Sequence, residues 1–129
     1  MKIFLSHSSV DKAIVRKIYE ELGASFCHFD DATFDPTGSI SNEIYSALKS
    51  SSHFVLFASP AALNSGWVKG ELERAFDNWM KNGIKKAMVF LLEGVQLGDL
   101  PDWLKQYVMR EAPTYRHILC RIQSEIDRE

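Results

Sequence analysis

The sequence predicts an α/β fold built on a parallel sheet. Short apolar runs of strand length alternate with longer segments in which apolar residues recur at helical spacing. This alternation requires right-handed crossovers, which place helices on both faces of a parallel sheet. The chain has 129 residues, of which 46% are hydrophobic and 25% are charged, as expected for one globular domain. We therefore predict a single flavodoxin-like domain over residues 1–129, with a five-stranded sheet in the order 2-1-3-4-5.

The first third of the chain predicts two strands, a helix and a long loop. Residues 2–6 are apolar and short enough for strand one, and residues 11–22 carry a helical apolar stripe that Gly23 ends. Residues 26–29 predict strand two. The polar run 30–38 contains proline and glycine and predicts a loop, and loops of this length are often functional.

The middle of the chain continues the alternation. Residues 40–50 predict a helix, and residues 53–59 predict strand three, apolar on both faces as in a central parallel strand. Residues 67–81 predict a further helix, and residues 87–92 predict strand four.

The last quarter carries a weaker pattern. Residues 101–109 predict a short helix with proline at its first turn. Residues 115–118 predict a brief edge strand, the fifth, which leads into a helix through Ile126.

This topology predicts where a ligand would bind. In an open doubly wound sheet the crevice lies beyond the carboxyl ends of the strands where the strand order reverses, here between strands one and three. The sequence places residues 6–8 and Ser59 at those ends. In the helix that follows Ser59, Trp67 and Glu71 are four residues apart and share a face. From this spacing alone, Glu71 is either a functional carboxylate at the crevice or a solvated residue on the helix surface.

Composition and charge exclude several classes of function. The net charge of −2, with both signs interspersed, argues against nucleic acid as a ligand. The longest apolar run, residues 87–92, is too short to span a membrane, and no secretion signal opens the chain, so we expect a cytoplasmic protein. The four histidines are scattered, which predicts no metal, and the two cysteines lie in apolar stretches, which predicts two buried reduced thiols.

Other α/β families of this shape lack their required residues here. A phosphoacceptor receiver needs acidic residues at the end of strand one, where this sequence has Ser6-His7-Ser8. A dinucleotide-binding Rossmann domain or a P-loop needs a glycine-rich turn before the first helix, and no glycine precedes Gly23. Ser59 does not lie in the Gly-x-Ser-x-Gly elbow of an α/β-hydrolase.

Over nearly the whole chain, the order and spacing of these motifs resemble the Toll/interleukin-1 receptor (TIR) domains. The run IFLSHSS at residues 3–9 with Asp11-Lys12 resembles the first strand and its turn. Residues 29–40, from FDD to PTGSI, resemble the long BB loop. Residues 54–60 and the run SGWVKGEL at 65–72 resemble the third strand and the Trp-x-x-x-Glu helix.

The resemblance implies an activity and a set of site residues. Enzymatic TIR domains of the bacterial type cleave NAD⁺ at the nicotinamide–ribose bond with the glutamate of that motif, which corresponds to Glu71 here. NAD⁺ is then the substrate, and no cofactor is implied. The remaining residues that match the family's pocket and gating positions are His7, Ser8, Phe34, Gly38, Ile40 and Trp67. These residues could instead have purely structural roles. Phe34, Gly38 and Ile40 would then pack within the BB loop, and Trp67 would fill a junction between a helix and the sheet.

The family resemblance also implies partners. Compact bacterial members self-associate through the BB loop and often form the N-terminal effector of a longer antiphage protein with a sensor domain in cis. Because the long polar loop 30–38 has few means of ordering itself, we expect activity to depend on oligomerisation. Two other functions remain open: a non-catalytic scaffold that assembles through the BB loop, and a nucleoside-transferring enzyme that would also use one glutamate on a ribose.

Overall fold

A computed structural model describes residues 2–29, 33–34, 42–64, 76, 80–81, 83–109 and 114–128. Its strands are β1 (Ile3–Ser8), β2 (Cys27–His28), β3 (Thr33–Phe34), β4 (His53–Ala58) and β5 (Lys86–Leu91). Its helices are α1 (Lys12–Leu22), α2 (Asn42–Lys49), α3 (Pro60–Leu63), α4 (Asp102–Lys105) and α5 (Tyr115–Asp127). Short 3₁₀ turns occupy Ser9–Asp11, Ala24–Phe26 and Leu97–Asp99.

The described strands pair in parallel in the order β2-β1-β4-β5. Ile3 lies between Cys27 of β2 and His53 of β4, so β1 is central. This order confirms the predicted α/β class and the predicted order of the first four strands, 2-1-3-4. The strand order reverses between β1 and β4, which places the crevice of such a fold at the carboxyl ends of these two strands.

The predicted fifth strand at residues 115–118 is wrong, because α5 begins at Tyr115. The Thr114 hydroxyl accepts a hydrogen bond from the His117 amide at 3.3 Å and caps the helix. Ile118 and Ile122 then recur at helical spacing and are both buried. The edge of β5 is instead covered by residues 107–109, through a parallel bridge between Val108 and Val89.

A short strand also interrupts the predicted loop 30–38. Thr33 pairs with His7, and Phe34 pairs with Ser8, at the carboxyl end of β1. The apolar-polar pattern of this segment is too short to predict a strand, and its backbone pairing depends on the neighbouring β1. The rest of the loop, from 30 to 32 and from 35 to 38, lies outside the described residues.

Helices cover both faces of the sheet, as predicted. On one face, Val15, Ile18 and Leu22 of α1 and the α5 residues Ile118 and Ile122 form an apolar cluster with alternate residues of the strands. On the other face, buried residues of α2, α3 and α4 pack against Phe4, Phe54 and Val89. The loops after β1 and β4 start side by side at the carboxyl ends of these strands. From there they lead to helices on opposite faces of the sheet.

The two cysteines have different surroundings. Cys27 is buried in β2, and burial raises the pKa of its thiol to about 11, although Lys2 acts in the opposite direction. Cys120 is exposed on α5, so the prediction of two buried thiols is wrong for this residue. Cys120 lies two residues after the buried Ile118, which turns it by about 200° onto the opposite face of the helix.

No helix in the described part of the chain combines the length and apolar character needed to cross a membrane.

Candidate functional site

Asp11 lies at the centre of a polar cluster at the carboxyl ends of β1 and β4. The Ser8 hydroxyl donates a hydrogen bond of 2.8 Å to Oδ2 of Asp11, and the Ser59 hydroxyl donates to the same oxygen. Ser59 also accepts a hydrogen bond of 3.1 Å from the Ala62 amide and so caps α3. One carboxylate oxygen thus joins the loop after β1 to the loop after β4.

This arrangement follows from local sequence. Ser8 and Asp11 are three residues apart across a tight 3₁₀ turn, a spacing at which a side-chain hydroxyl reaches a side-chain carboxylate. Asp11 directly precedes α1, but its side chain accepts no capping hydrogen bond from that helix. Oδ2 bonds to the two serines instead. Ser59 stands directly before Pro60, a sequence typical of a helix N-terminus.

Two buried polar atoms at this end of β1 have no hydrogen-bond partner among the residues that the structure describes. These are Oδ1 of Asp11 and the Ser6 hydroxyl oxygen. Asp11 is only 2% exposed, and Ser6 and Ser59 are fully buried. An unsatisfied buried polar group costs about 1–3 kcal/mol, and a charged group costs more. The two buried polar atoms make the carboxyl ends of β1 and β4 the candidate functional site of the described residues.

His7 directly precedes Ser8 in the sequence, and its side chain is fully buried. Its Nδ1 lies 2.6 Å from the Leu5 carbonyl oxygen, which can only accept, so Nδ1 donates and carries a proton. The imidazole stacks on Phe29 with ring centroids 5.0 Å apart, and Phe29 in turn stacks on Tyr19 at 5.0 Å. The structure therefore places His7 in a column of aromatic rings at the end of β1, with no solvent-exposed surface.

Two cations from α1 lie over the same column. The Lys12 ammonium is 5.7 Å from the centre of the Phe29 ring, and the Arg16 guanidinium is 5.6 Å from it. These distances are within the range of cation–π attraction. Positive charge from α1 is thus present over the Phe29 ring on which His7 stacks.

The structure describes only some of the predicted site residues. It brings Ser8 and Ser59 together through Asp11, which confirms that the ends of strands one and three converge. Phe34 is placed by its backbone, which pairs with Ser8. Gly38, Ile40, Trp67 and Glu71 lie outside the described residues. Their predicted roles in catalysis and substrate binding remain predictions, as does substrate binding by His7 and Ser8.

Sequence reasoning missed Asp11 as the centre of the cluster. The sequence identifies this residue only as part of the turn after strand one. Its spacing from Ser8 was a usable local signal, but its bond to Ser59 spans 48 residues and depends on the strand order. The unpartnered Oδ1 follows from that bond and has no sequence signature.

A cavity of about 420 Å³ opens beside this cluster, at the carboxyl ends of β4 and β5. Its lining includes Pro60, the residue after Ser59, and two acidic residues, Glu93 and Asp99. Glu93 has a φ of 52°, the left-handed conformation that non-glycine residues rarely adopt, and Gly94 follows at 78°. The remaining described lining residues are Leu63, Asn64, Gly94 and Val95.

A comparison with known protein families identifies the fold. The family model described as TIR domain matches residues 3–116, which is most of the chain. The chain belongs to the TIR domain family. The matched span contains β1, the Asp11 cluster and the Trp67-x-x-x-Glu71 motif.

A solved structure supports the assignment. The TIR domain described here is similar to a metazoan TIR-STING receptor from C. gigas, solved in complex with 2′,3′-cGAMP, with 27% sequence identity and a TM-score of 0.60. The alignment covers 83% of this chain but only 33% of that receptor chain. The chain thus corresponds to about one third of the longer receptor. A search of curated proteins finds no match to this TIR domain.

Proposed function

We propose that this TIR domain is an NAD⁺ glycohydrolase of the bacterial type, with Glu71 as its catalytic residue. The observation that carries the proposal is the match to the TIR family over residues 3–116, which includes Glu71 in the motif Trp67-x-x-x-Glu71. The buried polar cluster at the carboxyl ends of β1 and β4 supports it, because it marks a crevice where this fold class binds ligands.

The proposed reaction suits a single carboxylate. The bond between ribose C1′ and the nicotinamide nitrogen breaks, and its electron pair stays with that nitrogen. Nicotinamide was cationic in NAD⁺ and leaves as a neutral molecule, so no general acid has to protonate it. Positive charge develops on the ribose in an oxocarbenium-like transition state, which an anion stabilises. Attack of water at C1′ then gives ADP-ribose and releases a proton.

The other site residues have proposed binding roles. His7, Ser8 and Trp67 would line the pocket, and Phe34, Gly38 and Ile40 would gate it from the BB loop. The backbone pairing of Phe34 with Ser8 supports a BB loop that begins at the crevice. NAD⁺ is the substrate in this proposal, and no cofactor or metal takes part.

Activity is proposed to require self-association through the BB loop. The similar TIR-STING receptor chain is about three times as long as the aligned region, which supports the idea of a TIR effector controlled by a sensor domain in cis. We place this control in antiphage defence in the cytoplasm, without nucleic acid or membrane as a direct partner, on the basis of the bacterial resemblance.

The proposal is tested by incubating NAD⁺ with the domain, first dilute and then artificially clustered, and separating the products by chromatography. Formation of nicotinamide together with ADP-ribose, a cyclic product or a base-exchange product supports it. Deoxynucleosides tested in parallel identify a nucleoside-transferring enzyme. Self-association without cleavage of either substrate identifies a scaffold and contradicts the proposal.

A further inference from the structure

In the described part of the chain, the large hydrophobic side chains that are exposed lie at α1 and its two ends. They are Val10, Ile14 and Phe26, of which Val10 is 73% exposed. Val10 lies in the 3₁₀ turn that precedes α1, Ile14 lies in the first turn of the helix, and Phe26 lies in the 3₁₀ turn after it. Single exposed apolar residues are common on protein surfaces, whereas a group of them along one helix indicates a contact surface.

The charges on α1 run against its helix dipole. The first turn of the helix has no acidic residue, and the last turn has no basic residue. Lys17 precedes Glu21 by four residues, which is the less favourable order for an ion pair on a helix. Glu21 stands in the last turn, where the dipole is negative and a carboxylate is disfavoured. This order of charges therefore does not serve to stabilise the isolated domain.

Lys17 and Glu21 are about one helical turn apart, yet they do not pair with each other. Both residues are exposed, and neither forms an ion pair or a hydrogen bond in the structure, where the ion pairs of the described residues lie on α4 and around Glu125. Ile14 lies three residues before Lys17, on the same side of the helix. This side of α1 therefore presents an apolar residue, an unpaired cation and an unpaired anion in that order.

This order is self-complementary about a two-fold axis. When a second copy of the helix lies antiparallel to the first, with the axis between Lys17 and Glu21, the Lys17 of each copy faces the Glu21 of the other. Each Glu21 then gains a cation, which offsets its unfavourable place at the end of the helix. The turn that contains Phe26 faces the end of the helix that carries Val10 and Ile14, so exposed apolar side chains also meet.

We propose that α1 is a docking surface for a second copy of this chain, which binds through its own α1 in an antiparallel, isologous contact. The contact goes beyond the proposed function, because it uses a surface distinct from the BB loop and needs no NAD⁺. A contact centred on one helix of 11 residues is small, so the dimer is weak and depends on concentration. A two-fold contact closes on itself, so association through α1 stops at two copies.

The test measures dimerisation by sedimentation equilibrium over a range of concentrations. All variants are made in an Asp35→Lys background, which weakens the proposed contact through the BB loop. We expect a species of twice the mass of the chain and nothing larger. Lys17→Glu or Glu21→Lys should raise the dissociation constant at least about tenfold, because like charges then face each other. Asp102→Lys is the matched control, since it makes the same change in charge at an exposed site on α4, on the opposite face of the sheet.

Combining the two charge reversals tests the pairing itself. An equal mixture of the Lys17→Glu variant and the Glu21→Lys variant should form a one-to-one heterodimer, because each then faces the opposite charge on the other. A chain with both substitutions should self-associate again, with a dissociation constant within about threefold of the value before substitution. Added salt should weaken every one of these dimers, since the facing charges are exposed at the edge of the contact. A general change in surface charge would not produce this pattern.

Several results would overturn the inference. These are a monomer at every concentration, a dimer that Asp35→Lys abolishes, a dimer that neither charge reversal on α1 weakens, and charge reversals that neither the mixture nor the double variant rescues. If a charge variant does not fold, Ile14→Ser tests the same surface, and unchanged dimerisation of that variant overturns the inference. NAD⁺ cleavage by the artificially clustered domain is measured separately, so failure of this contact leaves the proposed function standing.

Discussion

Ser59 donates a hydrogen bond to Asp11 across 48 residues of sequence, and both side chains are buried. The bond joins the carboxyl end of β4 to the loop after β1 at the point where the strand order reverses. The same Ser59 hydroxyl caps α3 by accepting from the Ala62 amide. The Ser59 side chain therefore links the loop after β1 to the start of α3.

Ser59→Ala should destabilise the fold by about 2.5–4 kcal/mol. The substitution removes a helix cap, worth about 1 kcal/mol, and a hydrogen bond to a charged group, worth about 1.5–3 kcal/mol. Urea denaturation of the variant measures this loss. Ser46→Ala is the matched control, since Ser46 is exposed on α2 and should change stability by less than about 0.5 kcal/mol. Equal midpoints for the two variants would show that the Ser59 bonds contribute nothing.

Glu125 should make the domain more stable at neutral pH than at acid pH. Burial acts to raise the pKa of this carboxyl, but the hydrogen bond from Lys86 at 2.6 Å and the charges of Lys86 and Arg128 outweigh it, so the pKa is lowered. A lowered pKa gives stability that is present above about pH 4.3, the ordinary glutamate value, and is lost as pH falls through the lower folded value.

The pH dependence is measured by comparing Glu125→Gln with the unmodified chain. At pH 7 the variant should be less stable by about 1 kcal/mol, or about 4 °C in melting temperature. The difference should close as pH falls through the lowered pKa of Glu125, where the unmodified chain also carries a neutral side chain. Glu20→Gln on the exposed face of α1 serves as control. A difference that is constant between pH 7 and pH 3 would contradict the assigned ion pair.

The two thiols should react at very different rates. Cys120 is exposed, whereas Cys27 is buried and its pKa is raised to about 11, so little thiolate forms there near pH 8. A chromogenic disulfide reagent should titrate one thiol rapidly in the folded protein and two after denaturation. Cys120→Ser should abolish the rapid phase. Rapid reaction of the second thiol in that folded variant would contradict the burial of Cys27.

Clustering should activate the domain. The BB loop contains the polar run 30–38, which a neighbouring subunit is proposed to hold closed over the pocket. A dilute sample that is monomeric by light scattering should turn over NAD⁺ slowly, and fusion to an oligomeric scaffold should raise the rate per domain. Asp35→Lys should weaken this response. Full turnover by the dilute monomer would contradict the requirement for self-association.

The α/β class and the main strand order were predictable from the sequence because each depends on local patterns. The apolar runs that became β1, β4 and β5 are bounded by polar residues, and α1 has a clear apolar stripe that Gly23 ends with a φ of 101°. The alternation of strands and helices then restricts the topology to few solutions.

The features that sequence reasoning missed depend on contacts between distant segments. Residues 115–118 are too few for their pattern to separate a strand from the first turn of a helix. The Thr114 cap and the packing of Ile118 stabilise a helix there. Cys120 lies in an apolar stretch, yet its place on the helix turns it to solvent. Asp11 was found only through its bond to Ser59, because local sequence does not show which loops meet at the crevice.

The most direct test of the proposed function is the effect of Glu71→Gln on NAD⁺ cleavage by the clustered domain. The substitution keeps side-chain size and helix propensity and removes only the charge. We expect the rate to fall by about 10²–10³ with an unchanged melting temperature, while Glu20→Gln leaves both unchanged. If the rate and the melting temperature fall together, Glu71 has a structural role. An unchanged rate in Glu71→Gln would contradict its assignment as the catalytic residue.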